Sequence, residues 1–163
     1  MLKFANSSSL VHTLFRWTYA TWHIILCIMA TMILDREHVF DDALMDREVR
    51  AGLPVELFFR LRDALAVQQE TLSSVISVPI RTLMRRKQLG ERLKSDESER
   101  LLRLARLHIR AVEVLNGVEK ARRWLFSANR ALGGKTPFEF ASTEPGAREA
   151  ERLLGRIEHG IFS

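Results

Sequence analysis

Between Arg81 and Lys94 the chain carries Arg81, Arg85, Arg86, Lys87, Arg92 and Lys94 against Glu91 alone, a surplus that equals the +5 net charge of all 163 residues. Guanidinium and ammonium groups at this density do the chemistry of anion recognition. Arginine takes a guanine edge bidentately in a major groove, and either residue neutralises phosphate. The plain alternative is a solvated basic helix face. The preceding residues favour the first reading. Leu72-Ser-Ser-Val-Ile-Ser-Val-Pro-Ile-Arg-Thr-Leu-Met-Arg86 spells two short helices with a tight turn at Ser77-Val78-Pro79. Such a helix-turn-helix would present Arg81, Thr82, Arg85 and Arg86, with Lys87 beside them, to a DNA groove.

No other residues assemble into a reactive set. Gly134-Lys-Thr136 looks like the end of a phosphate loop, but the pattern requires Gly where Asn129 stands, and no apolar strand precedes it. His12, His23, His38, His108 and His159 have no metal-ligand spacing, and Cys27 is the only cysteine. A disulfide within the chain and a cysteine-rich zinc site are therefore excluded, and a reducing cytoplasm is the expected compartment. Carboxylates are plentiful, but nothing marks a pair as catalytic. The expectation is a binding protein without catalytic residues, bound metal or cofactor.

These residues need helices to hold them. Hydrophobic residues make up 47% of the chain and charged ones 28%, proportions of a globular protein rather than a disordered one. The one β-rich run, Ser73 to Val78, is short and meets Pro79, so it reads as helix, turn and helix start. Asp35 to Arg50 reads as an exposed acidic helix or linker. Pro54 starts a helix with Leu57, Leu61, Ala64 and Leu65 inward. Ser95-Asp-Glu-Ser98 opens a long helix to about Leu115, its stripe formed by Leu101, Leu104, Ala105, His108, Ala111, Val112 and Leu115. Arg100, Arg103, Arg106 and Arg110 lie off that stripe. Asn116-Gly117 ends it. Glu119 to Phe126 follows, with Trp124 and Leu125 as core anchors. Thr136-Pro-Phe-Glu139 is a capping box, and a last helix begins near Thr143-Glu-Pro145. Gly155 inside that helix implies close approach of another backbone, because Gly there costs up to about 1 kcal/mol relative to Ala.

The uncharged run Trp17 to Leu34 just reaches the length of a membrane span. Thr18, Thr21, His23 and Thr31 lower its hydrophobicity, so the membrane reading ranks last. A helix packed on the protein, or translation beginning at Met29, Met32 or Met45, is the expectation.

The ordered run Ile80-Arg-Thr-Leu-Met-Arg-Arg after Pro79, the following Glu97-Ser-Glu-Arg-Leu-Leu-Arg-Leu-Ala-Arg106, and the block Ala121 to Gly160 with its Trp-Leu, double Gly and Thr-Pro together resemble the Xre/MbcA/ParS-type antitoxins of RES–Xre toxin–antitoxin pairs. The resemblance runs from about Val49 to Ser163. It implies an all-α fold with an extension at 1–48, a helix-turn-helix DNA-binding and dimerisation region at 49–115, and a toxin-binding domain at 116–163. It also implies a homodimer with two partners, operator DNA and a cognate RES-domain toxin whose NAD site the antitoxin obstructs. The expected toxin contacts are Arg148, Arg152, Arg156, Glu158 and His159 on the last helix, with Ile161, Phe162 and Ser163 entering a cleft. Trp124, Leu125, Asn129 and Leu132 are expected to hold the module together. The chain departs from the family at Ser77, where the turn usually has Gly, and at Ser73, where Ala usually packs, so a distorted turn is expected. The alternatives are a stand-alone helix-turn-helix regulator and, behind it, a membrane-anchored one.

Overall fold

The computed structural model describes residues 42–160. Every regular element among them is helical, apart from one antiparallel bridge between Pro54 and Arg92. In chain order these are α1 (Asp42–Ala51), α2 (Glu56–Leu65), α3 (Gln69–Ile76), α4 (Ile80–Leu89), α5 (Ser95–Leu115) and α6 (Val118–Phe126). A 3-10 turn (Arg130–Leu132), the one-turn α7 (Pro137–Phe140) and α8 (Glu144–Glu158) follow.

The spine is α5, 21 residues or about 31 Å long at 1.5 Å per residue. Leu101, Leu104, Ala105, His108 and Ala111 are buried as the stripe requires, while Val112 and Leu115 are half-buried. Leu102 and Leu107 are buried as well. A helix wrapped on more than one face lies between other elements. Its neighbours are α1, α2, α3, α6 and α8. One apolar core therefore runs from Met45 and Phe58 through Leu107 to Leu125 and Leu154, crossing Asn116-Gly117 without a break.

Its first turn is locked locally. The Glu97 carboxylate reaches back to accept the Lys94 N–H at 2.8 Å, and the Ser98 hydroxyl donates to the Lys94 carbonyl at 2.7 Å. Lys94, not Ser95, is thus the residue before the helix. Ser98 Oγ also accepts the Leu53 N–H (2.8 Å), and the Leu93 N–H donates to the Leu53 carbonyl (2.8 Å). This strut needs Gly52, whose φ is +85° and whose added Cβ would lie 2.1 Å from the Leu93 carbonyl oxygen.

Sequence-predicted caps form in the C-terminal part. Thr136 Oγ1 accepts the Glu139 N–H and Glu139 returns to the Thr136 N–H, both at 3.1 Å. Thr143 Oγ1 accepts the Gly146 N–H at 3.2 Å. No helix among the described residues is long and apolar enough to cross a membrane, and the run Trp17 to Leu34 lies outside them.

Candidate nucleic-acid interface and partner-binding helix

The turn between α3 and α4 forms despite its serines. Ser77 is left-handed (φ 58°, ψ 41°), and the Val78 N–H donates back to the Ser73 carbonyl at 3.1 Å. An L side chain in this region costs roughly 1–2 kcal/mol. Ser73 supplies a compensation that alanine would lack: its buried hydroxyl donates to the Val78 carbonyl at 2.7 Å. The expected distortion is therefore absorbed by a side-chain hydrogen bond across the turn. Pro79 precedes α4, and its carbonyl accepts from Thr82 and Leu83 at 2.9 and 3.2 Å.

The predicted DNA-contacting residues separate on α4. Arg81 is exposed and has no carboxylate partner among the described residues, and Thr82 beside it is half-buried. Arg85 is exposed but held by Glu91 at 3.3 and 3.2 Å. Lys87 is exposed, with its ammonium 4.1 Å from the centre of the Phe59 ring. Arg86 corrects the sequence reading. It shares the inner face with Leu83, three residues earlier, is 8% exposed, and is ion-paired with Glu97. A guanidinium so placed supports the helix and is not offered to a groove. The positive charge of the segment is also less free than its composition suggests, because Glu91, Glu97 and Glu48 engage Arg85, Arg86 and Arg92.

Sequence reasoning missed Glu97 and Arg100. Glu97 was legible only as an acidic residue near a helix start. Arg100 donates to the Ile76 carbonyl at the end of α3 (2.6 Å), a partner 24 residues away that no local pattern announces.

On α8, Ala147, Ala150 and Leu154 are buried in the core, and Leu153 is buried as well. The outward residues form ion pairs. Arg148 meets Glu144 at 2.9 Å, Arg152 meets Glu149 at 2.9 Å, and Arg156 meets Glu149 at 3.4 Å. These arginines thus have partners within the helix, yet Arg148 and Arg152 keep 67% and 69% of their side-chain surface open. Hydrogen bonding from Arg148 leads in holding Glu144 below the usual carboxylate range, with Arg103 adding to it against an opposing effect of burial. Arg152 does the same for Glu149. Glu151 moves upward because burial disfavours its charge, and the nearby Glu144 adds to this.

Ion pairs clamp α8 to α5, among them Arg103 to Glu144 at 2.9 Å and Arg110 to Glu158 at 2.5 Å. The off-stripe arginines of α5 that make them are therefore ties between elements. His159 is exposed at the helix end, and Ile161, Phe162 and Ser163 lie outside the described residues. Among the described residues, nothing lies within 4 Å of a Cβ added at Gly155, so no backbone of 42–160 outside its own helix approaches it. The close approach occurs at Gly146 instead, where a Cβ would lie 1.9 Å from the Phe140 carbonyl oxygen.

The Gly133-Gly134 segment is a closed loop after a helix. Asn129 Oδ1 accepts the Ala131 N–H at 2.9 Å, and the Gly134 N–H donates to the Asn129 carbonyl at 2.9 Å. Leu125 and Leu132 are buried, whereas Trp124 is only half-buried. Among the described residues no group of three or more His, Cys, Asp or Glu is placed to hold a metal ion.

A helix-turn-helix with an exposed arginine at the start of its second helix, continued by a helical unit whose last helix shows a charged face, defines a DNA-binding module fused to a protein-interaction module. The family model for the antitoxin Xre-like helix-turn-helix domain matches residues 45–106. That for the antitoxin Xre/MbcA/ParS C-terminal toxin-binding domain matches residues 110–160. An antitoxin Xre of Photorhabdus laumondii is 34% identical over 113 residues, covering 69% of this chain and 76% of that protein. An antitoxin Xre of Yersinia enterocolitica is 31% identical over 116 residues, covering 71% and 78%. A Prs ADP-ribosylating antitoxin of a Sphingobium species is 24% identical over 124 residues, covering 71% and 78%. The chain belongs to the Xre antitoxin family.

Proposed function

We propose that this antitoxin neutralises a cognate RES-domain toxin stoichiometrically, by seating the outer face of α8 and the residues after it over the toxin's NAD site. The observation that carries this reading is the form of α8. Its inner face is spent on the core, while Arg148 and Arg152 stand open on its outer face. Glu144 and Glu149 hold these arginines in one orientation, which reduces the side-chain entropy lost on docking. Arg156, Glu158 and His159 continue the surface towards the tail. In the same reading the chain acts in the cytoplasm, forms a homodimer, and represses its own operon through Arg81, Thr82, Arg85 and Lys87 in a major groove. It is then nucleoid-associated when bound to DNA, with the DNA-binding and dimerising part at 49–115 and the toxin-binding part at 116–163.

Coexpression with the product of the neighbouring gene tests it. Growth should be restored, cellular NAD should recover, and the two proteins should co-purify. A chain cut after Thr143 that still folds and still protects would place the toxin contact elsewhere.

A further inference from the structure

Two side chains from the first turns of α5 reach the two helices of the helix-turn-helix separately. Glu97 pairs with Arg86 on the inner face of α4, and the same carboxylate holds the Lys94 N–H. Less than one turn further on, Arg100 donates to the Ile76 carbonyl at the C-terminus of α3 and is braced by Asp96, each at 2.6 Å. Both helices are thus fastened to one rigid stretch of the spine, in addition to the Ser77 turn that joins them. The apolar contacts beneath, through Leu72, Ile76 and Leu83, are non-directional, whereas charge-assisted hydrogen bonds fix geometry. That geometry decides whether the start of α4 can enter a groove while α3 crosses the phosphate backbone.

We infer that Arg86, Glu97 and Arg100 are positioning residues for DNA binding, setting the angle between α3 and α4 without touching the DNA. The inference rests on the DNA-binding reading of α4. Arg86 cannot turn to a phosphate without leaving the buried Glu97 carboxylate unpaired, which is strongly unfavourable. Arg100 occupies the negative end of the α3 dipole, where a cation is favoured, and its fork spans from that carbonyl to Asp96.

The test measures affinity of the purified chain for a duplex spanning its own promoter, over a series of salt concentrations. Each direct phosphate contact contributes roughly 0.9 to the slope of log affinity against log salt. Arg81→Ala should weaken binding and flatten the slope by about that amount. Arg100→Met and Glu97→Gln should weaken binding roughly tenfold with the wild-type slope, and Arg100→Lys should recover most of the loss. Co-purification with the toxin should stay unchanged in all of them. A flatter slope for Arg100→Met would make Arg100 a phosphate ligand and overturn the inference. So would wild-type affinity in a folded Arg100→Met, with folding checked by circular dichroism. Should Glu97→Gln unfold, the two Arg100 variants decide, since Met keeps the aliphatic stem of that half-buried side chain. Wild-type protein that ignores the duplex would instead remove the DNA reading of α4 itself.

Discussion

Gly146 at the start of the last helix lies so close to Phe140 that a Cβ would stand 1.9 Å from the Phe140 carbonyl oxygen. That oxygen belongs to backbone and cannot swing aside. Gly146→Ala should therefore destabilise the chain by about 2–3 kcal/mol through forced separation of α7 and α8. Gly155→Ala should act in the opposite direction, stabilising by up to about 1 kcal/mol, because none of the described residues puts an atom within 4 Å and the helix gains propensity. Urea denaturation of both variants gives the two signs. Destabilisation by Gly155→Ala in the isolated chain would mean that the open space beside it is not there in solution.

The pair Ser73 and Ser77 makes a second prediction. Ser77→Gly should stabilise by about 0.5 kcal/mol, the relief of a left-handed side chain less the added freedom of the unfolded chain. Ser73→Ala should cost about 1–2 kcal/mol, because the buried Val78 carbonyl loses its hydroxyl donor. Thermal melts of the two single variants and the double variant measure both effects. A neutral Ser73→Ala would show that this hydroxyl does not support the turn.

His108 makes stability fall on mild acidification. Burial first, and the charge of Arg122 second, hold its pKa below the ordinary 6.5. Below 6.5 the unfolded chain takes up a proton that the folded chain refuses, so stability present at pH 7 is lost as pH falls towards the folded value. The depressed carboxylates of Glu144 and Glu149 add a further loss only below about 4.5, their ordinary value. The urea midpoint should thus decline as pH falls below 6.5, and His108→Gln should flatten that decline. An equal slope in the variant would assign it to other groups.

Charge reversal on α8 tests the toxin surface without touching the core. Arg152→Glu should weaken toxin binding at least roughly tenfold, because a like charge then faces whatever acidic group the arginine meets. Its thermal midpoint should barely move, since Arg152 is 69% exposed and its pair with Glu149 is worth little at a surface. Calorimetric titration of purified toxin decides. Wild-type affinity would exclude Arg152 from the contact.

The legible features were those whose cause lies within one helical turn. Thr136 and Glu139, three residues apart, cap each other as their spacing implies. Ser77-Val78-Pro79 turns the chain where expected, and Leu101, Leu104, Ala105, His108 and Ala111 face inward because they repeat at helical spacing. The inward placing of Arg86 left one readable trace, its position three residues after the apolar Leu83 on the same helix face. A basic residue inside a basic run masked that trace.

Sequence alone determined the all-helical class and the boundaries of α2 to α8 to within a few residues, since caps, turns and periodicity act between residues close in the chain, and its resemblance carried the two-part family pattern. Only the tertiary structure decided which charges are free and that Gly52 and Gly146 are indispensable. Arg86 meets Glu97 across 11 residues, Arg103 meets Glu144 across 41, and Arg110 meets Glu158 across 48. Such pairs exist only once apolar burial has brought α4 and α8 against α5. The same packing, not the local sequence, puts a backbone oxygen against Gly146 and open space beside Gly155.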